Sequence, residues 1–293
     1  MLRLAAPLTL GALSGIFCER SGVVNIAIEG MMLTSAFFAF VFALYMDNML
    51  AGVLAGLIVG LLMALLHGVL SIRYKVDQII SGTVINILAV GVTGYLHQQL
   101  FQQNMPGGKG TFAAIKIPLL GDIPNWGTIF HIQPIALTAI ILVFVTHVIL
   151  FYTPWGLRTR AVGEHPRAVD TVGIDVFKMR YANVLIGGLL AGLAGCYFTL
   201  ESVPYFGPLM TNGKGFIALA AMIFGKWSPI GAWGAVLLFA SAESLQVNMQ
   251  ILGVNIPNQF VGMLPYLLTM IVLAGVVGRA TPPAADGQPY EKQ

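Results

Sequence analysis

Nine apolar runs take up most of this 293-residue sequence, at about residues 4–18, 30–46, 49–70, 79–101, 132–152, 182–203, 214–225, 229–249 and 261–278. Crossing ~30 Å of hydrocarbon takes about 20 helical residues, and most of these runs approach that length. Lipid offers the backbone no hydrogen-bond partners, so such runs satisfy their own amides by coiling into helices. Charge is correspondingly scarce: Asp, Glu, Lys and Arg make up 9% of the chain, against about 25% in an ordinary soluble domain. A water-facing fold with so little charge would expose large contiguous apolar patches. Intrinsic disorder and collagen-like repeats are excluded by the same composition. The 15 basic residues are too few and too dispersed for a nucleic-acid surface. The sequence predicts an all-α polytopic membrane protein with about nine transmembrane helices (roughly eight to ten), some short or broken. Run 214–225 is a candidate half-helix or re-entrant piece, because Gly225, Pro229 and Gly231 interrupt the chain after it.

Positive charge orients the spans, since Lys and Arg accumulate on cytoplasmic loops. The densest polar stretch, Thr153 to Tyr181, holds Arg158, Arg160, Arg167, Lys178 and Arg180 and is placed in the cytoplasm. Alternating outward from it puts eleven of the fifteen basic residues inside, leaving Arg3, Lys109, Lys116 and Lys214 outside. An external N-terminus and a cytoplasmic C-terminus follow. The organisation expected is one transmembrane domain over 1–280 and a Pro-rich, polar, disordered cytoplasmic tail over 281–293. The external connection Gln102 to His131, with turn-forming Pro106-Gly107-Gly108 and Pro124-Asn125-Trp126-Gly127, reads as a connector or as a docking loop for an external partner.

Enzyme chemistry has no foothold. Cys18 and Cys196 lie in apolar runs, so neither a disulfide framework nor a metal site is indicated. No His/Cys/carboxylate cluster has ligand spacing, and no nucleophile–base pair is readable; catalytic residues, metals and cofactors are all expected to be none. Arg3 is followed by an apolar run, but Cys18-Glu19-Arg20 lacks the small residues of a leader cleavage site. Glycine supplies 34 residues. Gly52, Gly56 and Gly60 on the third run, and Gly187, Gly188, Gly192 and Gly195 on the sixth, suit close helix packing or a hinge.

Polar residues at membrane depth are costly and need partners. Glu29 follows Asn25 by four, so a half-helix starting near Asn25 would place both on one face, lining a solute path or bonding between helices. Asn86, with Ser81, Thr83 and Thr93 nearby, forms a second polar stripe. Phe216, Phe224, Phe198 or Tyr197 could stack on a solute ring. The pathway candidates are therefore Asn25, Glu29, Thr83, Asn86 and Phe216. Glu201, Glu243, His67, His97 and His147 lie near run ends, where snorkelling to the interface explains them.

The segment 156–176 carries the most specific pattern. Glu164-His165-Pro166 can open a short helix, with Ala168, Val169, Val172 and Ile174 on its apolar side and Gly173 as a left-handed cap. Such a helix docks a protein partner or lies on the headgroups. Gly156, Arg158, Ala161, Gly163, Arg167, Ala168, Gly173 and Ile174 resemble the coupling segment of bacterial ABC importer permeases for sugars, branched-chain amino acids and nucleosides. The block Glu19 to Met32, with its Ser-Gly, Asn-Ile and Glu-Gly-Met, and the block Gly213 to Gly231 are similar to the nucleoside-type subgroup. The three blocks are collinear and the resemblance spans residues 7 to 278. Many sugar permeases of the family carry an extra N-terminal span that has no counterpart here.

The resemblance implies a transmembrane permease subunit of an ABC importer in the cytoplasmic membrane, moving nucleosides or related small polar solutes. Branched-chain amino acids or simple sugars are the alternative cargo. Gly163, Glu164, His165, Arg167, Ala168 and Gly173 would couple to a separate ATP-binding subunit, since the chain contains no phosphate-binding Gly-x-x-x-x-Gly-Lys-Ser/Thr loop. A homologous second permease, as a heterodimer or a homodimer, and an external solute-binding protein complete the implied partners. The competing class is an ion-coupled secondary transporter with Glu29 or Glu243 at its ion site.

Overall fold

The computed structural model describes residues 1–101, 107–108, 110–116, 131–252, 263 and 280–292. The ninth apolar run apart from Met263, and about two thirds of the 102–131 connection, lie outside the described residues. Among the described residues ten α-helices follow one another: α1 (Leu2–Arg20), α2 (Ile28–Tyr45), α3 (Met49–Gly68), α4 (Gln78–Phe101), α5 (Pro134–Tyr152), α6 (Pro154–Glu164), α7 (Pro166–Thr171), α8 (Val176–Tyr197), α9 (Lys214–Phe224) and α10 (Pro229–Ile251). Wide π-helical turns at Val69–Arg73 and Phe198–Ser202 extend α3 and α8. A two-residue β1 (Ile115–Lys116) pairs antiparallel with β2 (His131–Ile132). Seven helices among the described residues are long and apolar enough to span a bilayer, and the eighth apolar helix, α9, is short.

Local chemistry sets the helix starts. The Asn48 Oδ1 accepts from Leu50 N at 2.8 Å to open α3, and the Asp175 carboxylate accepts from Lys178 N at 3.0 Å to open α8. That cap explains why α8 begins six residues before the apolar run at 182. Prolines at the first positions of α5, α6 and α7 have no N–H to leave unpaired there.

Helices α1, α2 and α8 form the centre, with 83%, 72% and 78% of their span residues buried, whereas α3, α4 and α10 bury 28% each. A helix surrounded by other helices buries most of its circumference, as α1, α2 and α8 do. The two glycine stripes meet: a Cβ on Gly60 would lie 2.5 Å from Gly188 O, and one on Gly192 would lie 2.8 Å from Gly56 O. Backbone therefore rests on backbone along α3 and α8, giving the van der Waals contact that drives association in lipid.

The segment 156–176 departs from the sequence expectation. Glu164 ends α6 instead of opening a helix, because Pro166 excludes the helical conformation for the residue before it. His165, at φ −139° and ψ 74°, is the joint between α6 and α7. Gly173 does adopt the left-handed conformation, at φ +82°. The tail differs too. Residues 281–292, expected to be disordered, lie against α6, α7 and α8, with Ala285 N donating to Gly163 O at 2.8 Å.

Candidate functional site

Two regions concentrate polar structure: the broken helices inside the bundle, and the face that carries α6 and α7. Inside, α9 has 11 residues, about 16 Å at 1.5 Å per residue, half the hydrocarbon thickness. Its N-terminus is therefore within the bundle, where unpaired backbone N–H groups need acceptors. Gly213, at φ +77°, turns the chain into the helix. Glu29 fills the position ahead of it. Its Oε1 accepts from Thr211 Oγ1 at 2.6 Å and from Gly213 N at 2.9 Å, and its Oε2 accepts from Gly215 N at 2.6 Å. A carboxylate at a helix N-terminus also meets the positive end of the helix dipole. Gly215 has to be glycine, since a Cβ there would sit 2.6 Å from the Glu29 backbone.

The start of α2 is satisfied in the same way. Asn86 Oδ1 accepts from Gly30 N at 2.7 Å and its Nδ2 donates to Ile26 O at 3.0 Å. Asn25 is fully buried and lies before α2, its Oδ1 accepting from Ala27 N at 3.1 Å. Asn25 and Glu29 thus do not share a helical face, because α2 begins at Ile28. The polar stripe on α4 divides as well. Ser81 and Thr93 are buried, and Thr83 is exposed with its Oγ1 donating to Ile79 O at 2.8 Å. Residues two apart on a helix point to different sides. Phe216 is exposed, at 47%.

Glu201 and His67 are buried, away from the interface expected for them. Glu201 is buried and caps α5, accepting from Ile135 N in a short contact and from Ala136 N at 3.2 Å. His67 is buried between Val24 O at 2.9 Å and Ser81 Oγ at 3.0 Å, pinning α3 to α4 and to the α1–α2 turn. Glu243 forms an ion pair with Lys214. These two line a cavity of about 440 Å³ with Tyr197, Phe198, Tyr205 and Met210, at the end of the bundle away from α6 and α7. Tyr197 and Phe198 were legible as possible stacking rings; the ion pair joins residues 29 apart and had no local signal.

On the other face, Gly163 is packed so closely that a Cβ would lie 2.3 Å from Arg20 O. Glu164, His165, Arg167 and Ala168 are exposed, and Gly173 has open space around it. The tail completes this face. Ala284 N donates to a Glu164 oxygen at 3.1 Å, and the buried Arg180 donates from Nη1 to Gln288 O at 2.9 Å. Tyr290 closes a small core with Val162, Val169, Val176 and Met179, separate from the main one. Burial raises the Asp286 carboxyl to about 7, against the lowering influence of the Gly287 amide and of Arg180. Among the described residues no group of His, Cys, Asp and Glu could hold a metal ion.

A half-length helix packed in a bundle of apolar, span-length helices is the architecture of a polytopic membrane protein. The chain belongs to the family described as "Branched-chain amino acid transport system / permease component", whose model matches residues 1–273. It is a membrane permease subunit of an ATP-binding cassette transport system. It is 44% identical over 299 aligned residues to the guanosine ABC transporter permease protein NupQ of Bacillus subtilis, covering 98% of this chain and 94% of that one. It is 40% identical to the nucleoside ABC transporter permease protein NupC of Lactococcus lactis, covering 100% and 95%. A more distant likeness, at 26%, is to NupP of Bacillus subtilis, another guanosine ABC transporter permease protein, over 92% of this chain and 79% of that one. No solved structure matches.

Proposed function

We propose that this permease imports nucleosides, received from an external solute-binding protein and driven by ATP hydrolysis on a separate cassette subunit. The observation that carries the cargo is the near-complete coverage of two relatives whose names specify guanosine and nucleosides, at 44% and 40% identity. The bundle supports an uncharged solute. The amides at the broken helices, which in a transporter could hold a substrate carboxylate, are taken by Glu29 and Asn86. The cavity walled by Tyr197, Phe198 and Tyr205 falls in the size range of small-molecule sites and offers rings for a base. Thr83 and Phe216, both exposed, are assigned to the pathway wall that faces a second permease subunit. Asn25, Glu29 and Asn86 hold the pathway's backbone in shape.

The cassette subunit would seat on α6 and α7, through Glu164, His165, Arg167 and Ala168, with Gly163 and Gly173 setting the backbone. The N-terminus lies outside and the face with α6, α7 and the tail is cytoplasmic, since that face gathers most of the basic residues. Two permease chains enclose one path, with the NupP-like relatives as the pattern for a heterodimer. Uptake of labelled guanosine, adenosine, cytidine and uridine by cells carrying the complete system tests the reading. Loss of nucleoside uptake on deleting this chain, with sugars and branched-chain amino acids failing to compete, supports it. Uptake that persists without the cassette subunit, driven by an imposed ion gradient, refutes it.

A further inference from the structure

Helix α7 is too short to hold its own place. It has six residues, and isolated helices below about 12–15 residues are marginal in water. Joints flank it on both sides: His165 at φ −139°, and Gly173 at φ +82° with open space around it. Val169 is its one buried residue. The Tyr290 ring, from the C-terminal tail, closes the small core that receives Val169, together with Val162 of α6 and Val176 and Met179 of α8. Lys292 pairs with Asp170 of α7 at 3.8 Å. The tail thus supplies much of what fixes α7 against α8.

The same tail is tied to the three central helices. Ala285 N donates to Gly163 O at 2.8 Å, at the end of α6. The Ala285 carbonyl oxygen packs on the turn joining α1 to α2, 3.1 Å from where a Cβ on Gly22 would lie. Gly287 rests on Val24 of that turn, its Cβ position 3.4 Å from Val24 Cγ2. Arg180, a buried residue of α8, donates from Nη1 to Gln288 O at 2.9 Å. Glu291 pairs with Lys75, beyond α3, at 2.5 Å. One end of the tail therefore grips α7, and the rest grips α8 and the α1–α2 turn. Energetic coupling travels through contiguous contacts of this kind.

We propose that the tail is a strap that transmits movement of α7 to the central helices, and that Tyr290 is the positioning residue that grips α7. This rests on the reading of α6–α7 as the seat of the ATP-binding subunit. Without the Tyr290 ring, ATP hydrolysis continues while α7 moves free of the bundle, and less solute is moved per ATP.

The complete transporter, with its solute-binding protein, is reconstituted in proteoliposomes, and labelled guanosine taken up per ATP hydrolysed is compared among parent, Tyr290→Ala and Tyr290→Phe. The ratio does not depend on how much complex survives, so a merely structural loss leaves it in place. Tyr290→Ala is expected to lower it about fivefold, since removing a buried aromatic ring is among the costlier core changes. Tyr290→Phe should stay within about twofold of the parent, because the ring supplies the packing. Hydrogen exchange of residues 166–173 should speed up about tenfold in Tyr290→Ala alone, as a helix that has lost its anchor opens locally. Equal ratios in all three proteins, or unchanged exchange, overturn the proposal. If Tyr290→Ala does not accumulate, a chain ending after Gly287 removes the ring and puts nothing in its place. Absence of both from the membrane makes the tail a folding element and overturns the proposal too. A photoreactive benzoylphenylalanine at Arg167 tests the premise separately. No adduct to the ATP-binding subunit, with that subunit co-purifying, refutes the seat on α7, whereas an adduct with equal ratios refutes the strap alone.

Discussion

Replacing Glu29 by Ala isolates what a buried carboxylate does for a half-length helix. The substitution removes three hydrogen bonds to a charged acceptor, from Thr211 Oγ1, Gly213 N and Gly215 N. Bonds of this kind contribute about 1.5–3 kcal/mol each, and the dipole interaction up to ~2 kcal/mol more. Glu29 is only partly buried, so water can replace some of what is lost. A net destabilisation of about 3 kcal/mol is expected, well above that of a typical surface change. At roughly 2–4 °C per kcal/mol for a chain of this size, purified permease in micelles should melt about 6–12 °C lower. Tryptophan fluorescence can follow it, since Trp227 Nε1 donates to Glu19 near the far end of α9 at 2.5 Å. Glu29→Gln keeps one acceptor oxygen and should lose less. The decisive arm is chemical rescue: formate fits the space vacated by the carboxylate and should restore part of the melting temperature of Glu29→Ala alone. If Glu29→Ala melts like the parent, or formate leaves it unchanged, the carboxylate does not seat α9 and the reasoning fails.

Further outcomes are expected elsewhere. Gly60→Leu drives a side chain into Gly188 O and Gly192 Cα, 2.5 and 2.7 Å from the Cβ position; overpacking of this kind costs about 1–3 kcal/mol or more, and the amount of protein in the membrane should fall, whereas Gly91→Leu, with nothing within 4 Å, should leave it unchanged. Gly163→Leu should also lower expression, because its Cβ meets Arg20 O at 2.3 Å, while Arg167→Glu should leave expression intact and lose the cassette subunit. Normal cassette retention by Arg167→Glu counts against the coupling assignment. For pH, the docked Asp286 carboxyl is raised from 3.8 to about 7, so the docked tail binds a proton that the released tail gives up. Docking is then strongest below about pH 4 and weakens up to about pH 7. Hydrogen exchange of residues 282–292 should speed up across that window, and Asp286→Asn, beside Glu19 and Arg180, should flatten the dependence. A flat profile in the parent protein would sink it. Cysteine labelling tests orientation: Cys18 and Cys196 are buried, so Leu209→Cys should react with an impermeant thiol reagent on intact cells and Val172→Cys only after lysis.

Local chemistry was legible wherever neighbours along the chain decide the outcome. The apolar runs placed α1 to α5, α8 and α10, the glycine spacings marked the α3–α8 seam, and Gly225 with Pro229 marked α9 as short. His165-Pro166 carried enough information to place a helix boundary, although the joint came out between two helices and not before one. The roles of Glu29, Asn86, Glu201 and His67 were not legible, for a common reason. Each partners a group 43 or more residues away, and a polar residue in an apolar run looks the same whether it faces a solute or caps a distant helix.

The solvent was determined by the sequence alone, because 9% charge cannot coat a soluble fold. The family blocks at Glu19 to Met32, 156–174 and Gly213 to Gly231 were likewise present in the primary structure. Only the tertiary structure decided what the scarce polar groups do. Desolvation makes an unpaired polar group costly in the bundle, so Glu29, Asn86 and His67 are drawn to whichever backbone group the packing leaves open. The same holds for the tail, whose order comes from the surface that α6, α7 and α8 build for it and from nothing in its own composition.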